Sequence, residues 1–242
     1  MASTDSPPES EGSVSKLFVD KLIYGITHDL GASARQMHQF SQLIAKQQAL
    51  RELPQIAVWL DYLAISSKDF QEKILALSNL RGISKSKNNR IYTNLKDLIN
   101  SHINDFSALS NDANIDFINH DIFATVNVEH WNYLVTALLQ NALTFRKIEE
   151  PKIETKIKIR LTLDGSILIF TIEDNGIGVR QNNHEDLCRP FKRLCANNEY
   201  PGLGVGLTIC WYIAELNNGH IGFENSDMGG LKVVYQQPTS IE

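Results

Sequence analysis

The sequence predicts an α+β chain: an N-terminal antiparallel helical hairpin followed by an α/β sandwich. Three observations carry that expectation. Two long amphipathic stretches, about residues 16–48 and 54–80, are separated by only a few residues, and a short connection between long helices makes an antiparallel pair. A polar stretch, Arg81–Arg90, then interrupts the pattern. Beyond it, helix-like and strand-like segments alternate, with two β-like runs flanking Asp164-Gly165, a strong hairpin signal. Strands grouped with helices to one side make a two-layer sandwich.

Residues 1–15 contain Pro7, Pro8 and several Ser and acidic residues. They lack the basic-then-apolar pattern of a signal peptide and read as a disordered leader or the stump of an upstream linker. Residues 16–82 form the hairpin. Its first helix carries Leu22, Ile26, Leu30, Ala34, Met37 and Ile44 at steps of three, four and seven, the spacing of one helical face. Its second begins near Pro54, where a missing N–H costs nothing, and marks its buried side with Ile56, Trp59, Leu60, Leu63, Phe70, Ile74, Leu77 and Leu80. Two helices cover two apolar faces poorly, so a homodimer through the hairpin, making a four-helix bundle, is expected. Arg81–Arg90 reads as a linker.

The second domain is placed at residues 91–240. A helix is expected near 93–109, short strands near 115–118 and 122–126, and a helix over 129–146 with Trp131, Leu134, Val135, Leu138, Leu139 and Ala142 on one side. Strands follow at 155–163 and 166–173. Residues 181–201 are polar and irregular. A helix over 205–216 ends at Asn217-Asn218-Gly219, a suitable C-cap, and strands at 219–225 and 231–236 close the domain.

A net charge of −5 without a long basic run argues against nucleic acid as a partner. No stretch approaches 18 consecutive apolar residues, so no membrane span is expected. Cys188, Cys195 and Cys210 are an odd set without C-x-x-C spacing. They read as reduced thiols in a cytoplasmic protein.

Four features carry possible chemistry. His28 lies about 160–200° around its helix from Ile26 and Leu30, so it faces solvent, where an imidazole can act as a nucleophile. Asp29 beside it can accept the proton of the other ring nitrogen. Asp174-Asn175-Gly176-Ile177-Gly178 follows a strand; its glycines allow close approach of a flat ligand, and a buried Asp can accept from an adenine amino group. Gly202-Leu203-Gly204-Val205-Gly206-Leu207 leads into a helix, which suits phosphate binding by backbone N–H groups. Asn141 offers an amide oxygen, a ligand type that suits Mg²⁺. Each also has a plain structural reading: an exposed surface His, a turn after a strand, a flexible hinge, a surface Asn.

The order of these features resembles the histidine kinase family. Ile26–Ser33 is similar to the H-box, in its phytochrome-like form; Leu138–Arg146 to the N-box; Glu173–Gly178 to the G1 box; Pro190–Leu194 to the F-box; and Gly202–Leu207 to the G2 box. The resemblance covers about residues 16–238, and five boxes in register make it specific. It implies a Bergerat-type ATP-binding domain, a dimerising histidine-bearing hairpin, ATP and Mg²⁺ as cofactors, and a response-regulator receiver domain as partner. It implies His28 as phospho-acceptor, Asp29 as its base and Asn141 as Mg²⁺ ligand. Asp174 would bind adenine, Gly176 and Gly178 would shape the base pocket, and Gly202, Gly204 and Gly206 would contact phosphates. Residues about 180–201 would form a mobile ATP lid, with Phe191 and Arg193 steadying the nucleotide.

The chain departs from the pattern at five positions. Gly31 and Ser33 stand where Arg and Pro are usual, and loss of that Pro removes a helix kink. Ala32 stands four after His28, where kinases with phosphatase activity often carry Thr or Asn. Ala137 replaces the first N-box Asn, and Thr144 replaces the N-box Lys; both changes weaken the polar surroundings of the phosphates. The sequence thus points to an ATP-dependent histidine kinase acting on His28 and then on a regulator Asp. The alternative is a histidine phosphotransfer or scaffold protein with a weakened nucleotide site. A chaperone- or topoisomerase-type ATPase is disfavoured, because those usually carry a catalytic Glu where Ala137 sits and have no H-box hairpin.

Overall fold

Small side chains set the seam between the first two helices. The structure, a computed structural model, describes residues 30–32, 34–44, 46, 54–86, 89–109, 113–118, 121–148, 153–180, 184, 186–189, 194, 200 and 203–239. They divide into two compact units, Met1–Gly82 and Ile83–Glu242.

In the first unit, α1 (residues 34–44, with 30–32 also helical) lies beside α2 (Pro54–Lys85). Gly31 sits against Ile74, while His38 Nδ1 and Ser41 Oγ reach Ser67 Oγ at 3.2 and 3.5 Å. Positions that rise along α1 meet positions that fall along α2, so the pair is antiparallel, as expected. Ala34, Ser41, Leu60, Ser67, Ile74 and Ala76 are buried. Much of the expected apolar stripe is not: Leu30, Met37, Ile44, Trp59 and Leu63 remain exposed in the single chain. Two cylinders touch along one narrow line, and short residues occupy that line here. The helix also runs on through Lys85, so residues 81–85, read as linker, are helical.

The second unit is a two-layer sandwich. Its strands are β1 (Arg90–Asn94), β2 (Ala113–Ile118), β3 (Phe123–Asn127), β4 (Thr155–Asp164), β5 (Ile167–Asp174), β6 (His220–Asn225) and β7 (Leu231–Pro238). Its helices are α3 (Leu95–Leu109), α4 (Val128–Thr144) and α5 (Gly206–Leu216). The main sheet has the order β2-β4-β5-β7-β6. Among the described residues, β2–β4 pairs in parallel and the other ladders of this sheet are antiparallel. β1 and β3 form a separate antiparallel ribbon.

Period-two patterning explains the burial. Ile157, Ile159 and Leu161 on β4, Leu168, Phe170 and Ile172 on β5, and Leu231, Val233 and Tyr235 on β7 all turn to one face. Helix α4 lays Trp131, Leu134, Val135, Leu138, Leu139 and Ala142 on the core. Trp131 sits at its centre, edge-on to Phe170 and Tyr235 with centroids 5.7 Å away in both cases. Its indole N–H donates to Gln237 Oε1 at 3.2 Å, satisfying the polar edge.

Local signals explain the ends. Asn127 caps α4 by accepting from His130 N–H at 3.0 Å. The β4–β5 loop is Gly165-Ser166, since Asp164 pairs with Ile167. Gly165 has φ +57° while Ser166 does not enter the positive region, as a type II′ hairpin requires. Asn218 takes the left-handed conformation after α5, with φ +52°. Strand β1 was not expected. It is five residues long and mostly exposed, too short for a periodic signal, and it is held by its ladder to β3 and by Tyr92 stacked on Phe123 at 5.8 Å.

Candidate nucleotide-binding site

One face of α4, the end of β5 and the start of α5 enclose a pocket of about 350 Å³. Helix α4 contributes Tyr133, Ala137, Gln140, Asn141 and Thr144, spaced to share one face. Its opposite face is the one sealed in the core, so core packing aims the polar row at the pocket. Asp174 ends β5, and Ile177, Gly178 and Val179 follow it along the wall. Residues 203–207 close the far side.

Asp174 is the one ionisable carboxylate among the described lining residues. Its Oδ1 accepts from Gly176 N–H at 2.8 Å and from Leu231 N–H at 3.2 Å. Burial holds its carboxyl above the ordinary aspartate range, and the two N–H donors pull it partly back. Oδ2 takes no hydrogen bond from a described residue, which leaves it for a donor on a ligand.

The glycines act at close approaches. A Cβ at Gly176 would overlap the Phe145 carbonyl oxygen and lie 2.9 Å from Asp174 Oδ1. Gly178 has φ +65°, and Gly204 has φ +70°, a region that disfavours side chains. Gly206 opens α5, whose N-cap, Val205, makes no side-chain capping bond. The first N–H groups of that helix have no intrahelical partner by construction. They are donors at the positive end of a helix dipole, bordering the pocket, and suit an anion.

For a hard divalent ion, the wall supplies the Asn141 and Gln140 amides and the Thr136 and Thr144 hydroxyls. That oxygen set fits Mg²⁺, which takes few protein ligands and completes its shell with phosphates and water. Among the described residues no cluster of three or more His, Cys, Asp or Glu exists.

The structure therefore brings Asn141, Asp174, Gly178, Gly204 and Gly206 to one pocket, with Gly176 supporting Asp174 from behind. His28, Asp29, Phe191, Arg193 and Gly202 lie outside the described residues. Ala137 and Thr144 both stand on the pocket wall, and no Lys or Arg is among the described lining residues. Sequence reading missed Tyr133, Leu231 and the Gly229-Gly230 pair. The pair was legible only as a turn signal between two strands; nothing local shows that Gly230 packs on Asp174. Burial pushes the Tyr133 phenol up to about 12.

A two-layer sandwich with this pocket defines an ATPase-type nucleotide-binding domain. Residues 127–241, just under half of the chain, match the family described as histidine kinase-, DNA gyrase B- and HSP90-like ATPase. The chain is also homologous to sensor histidine kinases. It is 33% identical over 101 residues to the phytochrome-like protein Cph1 of Synechocystis sp., covering 42% of this chain and 13% of that protein. It is 30% identical over 103 residues to the sensor histidine kinase CpxA of Escherichia coli (strain K12), covering 42% of this chain and 21% of that protein. It is 25% identical over 144 residues to the sensor protein RstB of the same organism, covering 58% of this chain and 32% of that protein. The chain thus spans a third or less of the length of these relatives. The fold is shared with full-length ShkA solved in complex with AMPPNP, with a TM-score of 0.63 and 12% identity over 92% of this chain and 46% of that one. It is shared also with the mycobacterial sensor histidine kinase MprB, with a TM-score of 0.55 and 15% identity over 63% of this chain and 99% of that one. No helix among the described residues is long and apolar enough to cross a membrane.

Proposed function

We propose that the chain is the catalytic core of a two-component histidine kinase. It binds Mg-ATP in this pocket, phosphorylates itself on His28, and passes the phosphoryl group to an Asp of a response-regulator receiver domain. The observation that carries this reading is the meeting of Asp174, Asn141 and the uncapped start of α5 around one pocket. Asp174 Oδ2 accepts from the adenine amino group, and Gly178 admits the flat base. The amides after Gly204 hold phosphate oxygens. Asn141 holds Mg²⁺, which when bound neutralises phosphate charge. Little covalent work falls to the protein in phosphoryl transfer, so positioning and charge neutralisation carry the rate. An imidazole nitrogen of His28 bonds to the γ-phosphorus as the bond to the ADP oxygen breaks. Asp29 takes the proton from the other ring nitrogen. The exposed apolar residues of α1 and α2, Met37, Ile44, Trp59 and Leu63 among them, suit a homodimer through the hairpin. Free Cys188 and Cys210 suit the cytoplasm.

A second reading has its own support. Ala137 and Thr144 on the pocket wall, with no described cation beside them, suit a phosphotransfer or scaffold protein whose nucleotide site is weakened. Incubation with γ-labelled ATP and Mg²⁺, beside a His28→Gln variant, separates the two. Acid-labile, alkali-stable label on wild type alone establishes the autokinase. No label on a folded dimer rejects it, and label acquired from a phosphorylated receiver domain then establishes phosphotransfer.

A further inference from the structure

The residue Tyr200 stands three positions before Leu203, where the chain enters the pocket wall. It is 6% exposed. Its hydroxyl donates to the Arg146 carbonyl at 3.2 Å, and its ring lies 5.4 Å from that of Phe145. Phe145 is itself a junction. Its N–H closes α4 by donating to Asn141 O at 3.0 Å, and its carbonyl accepts from Ile177 N–H at 3.0 Å. Gly176, packed against that same carbonyl, donates to Asp174. One dipeptide, Phe145-Arg146, thus joins the Asn141 helix, the Asp174 loop and the residue that leads into 203–207.

We infer that Tyr200 is a positioning residue for the glycine loop, an inference that rests on the nucleotide-binding reading of this pocket. Three residues of chain reach about 10 Å at most, so an anchored Tyr200 confines Leu203 and Gly204. Gly204, at φ +70°, then turns the chain into α5. The anchor therefore fixes the spacing between the loop amides and Asn141 before any ligand arrives. Without it, that spacing would be set only as the nucleotide binds, and the ordering entropy would be charged to binding. The hydroxyl and the ring act separately: Tyr200→Phe removes the bond to Arg146 and keeps the ring contact, and Tyr200→Leu removes both.

The test has two readouts. Hydrogen exchange without nucleotide follows the amides of residues 203–209. Stopped-flow binding of a fluorescent ATP analogue with Mg²⁺ gives association and dissociation rates. In Tyr200→Phe, exchange at 203–209 rises and the analogue dissociates about three- to tenfold faster, as loss of one part-buried hydrogen bond predicts; association changes less than dissociation. Tyr200→Leu exceeds both effects. Amides of β4 and β5 keep wild-type protection, which a merely structural defect would not allow. Wild-type exchange at 203–209 in both variants, or faster exchange spread evenly over the domain, overturns the inference. If wild type itself fails to bind the analogue, the nucleotide reading falls, and the exchange pattern alone decides whether Tyr200 anchors the loop.

Discussion

Gly230 backs Asp174 so closely that a Cβ on it would overlap the carboxylate Oδ1 and the Asp174 carbonyl oxygen, and would lie 2.6 Å from Gly176 N. The β6–β7 turn thus holds the carboxylate from behind while Leu231 N–H bonds to it. Gly230→Ala should push Asp174 off its donors, weakening an ATP analogue by tenfold or more and lowering the Tm. Gly82 offers the control. It is helical and a Cβ there meets nothing within 4 Å, so Gly82→Ala should stabilise the helix by about 0.5–1 kcal/mol. Thermal melts and analogue titrations of both variants check the pair.

Asp174→Asn separates binding from folding. An amide oxygen can still accept from Gly176 and Leu231 N–H, so the fold should hold and the Tm should stay near wild type. Its NH₂ would then stand where an acceptor is needed. Loss of one charge-assisted bond weakens an adenine nucleotide by roughly ten- to hundredfold. Calorimetric titration with Mg-AMPPNP measures it, and unchanged affinity would place the base elsewhere.

His130 gives the domain a pH dependence. The ring is fully buried, with Nε2 3.0 Å from the Ile83 carbonyl and Nδ1 3.1 Å from Asn217 Nδ2. The amide NH₂ donates to Nδ1, so the proton sits on Nε2 and the neutral form fits. Burial lowers its pKa from the ordinary 6.5, with the bond to the Ile83 carbonyl opposing. Below pH 6.5 the unfolded chain therefore binds a proton that the folded chain refuses, so stability falls as pH drops from 6.5 towards the lowered value. Urea unfolding from neutral pH to about pH 5 should show a shallower slope in His130→Gln than in wild type.

The two pocket departures can be reversed. Thr144→Lys returns a cation and Ala137→Asn an amide to the wall that both residues line. Each should tighten Mg-ATP a few-fold, on the order of 0.5–1 kcal/mol for a partly solvated contact, and the double variant should label His28 faster. No gain in binding or labelling would mean that the phosphates lie away from this end of α4.

The long periodic helices and the β4–β5 hairpin were legible because their signals are local: a 3.6-residue stripe, and Asp-Gly between alternating runs. Asp174, Gly178 and Gly204 were legible because close backbone approach demands glycine at fixed offsets. Strand β1 was not, since its stability comes from β3, some thirty residues on. Gly230 and Tyr200 were not, for the same reason: each acts through a partner distant in sequence, Asp174 for one and Phe145-Arg146 for the other. What covers Trp59 and Leu63, exposed in the single chain, was not legible, because a stripe reports an apolar face and not its partner.

The placement of the chain's three tryptophans, Trp59, Trp131 and Trp211, has an optical consequence. Trp131 is sealed at 1% exposure inside the second unit, whereas Trp59 is 66% exposed on the first. In a Trp211→Phe background the two emit at different wavelengths, Trp131 in the blue and Trp59 in the red. Pairing of hairpins would cover Trp59 and shift the red component towards the blue with rising concentration. Unfolding of the sandwich would move the blue component the other way. A single emission spectrum therefore reads subunit pairing and the integrity of the nucleotide domain as two separate colours.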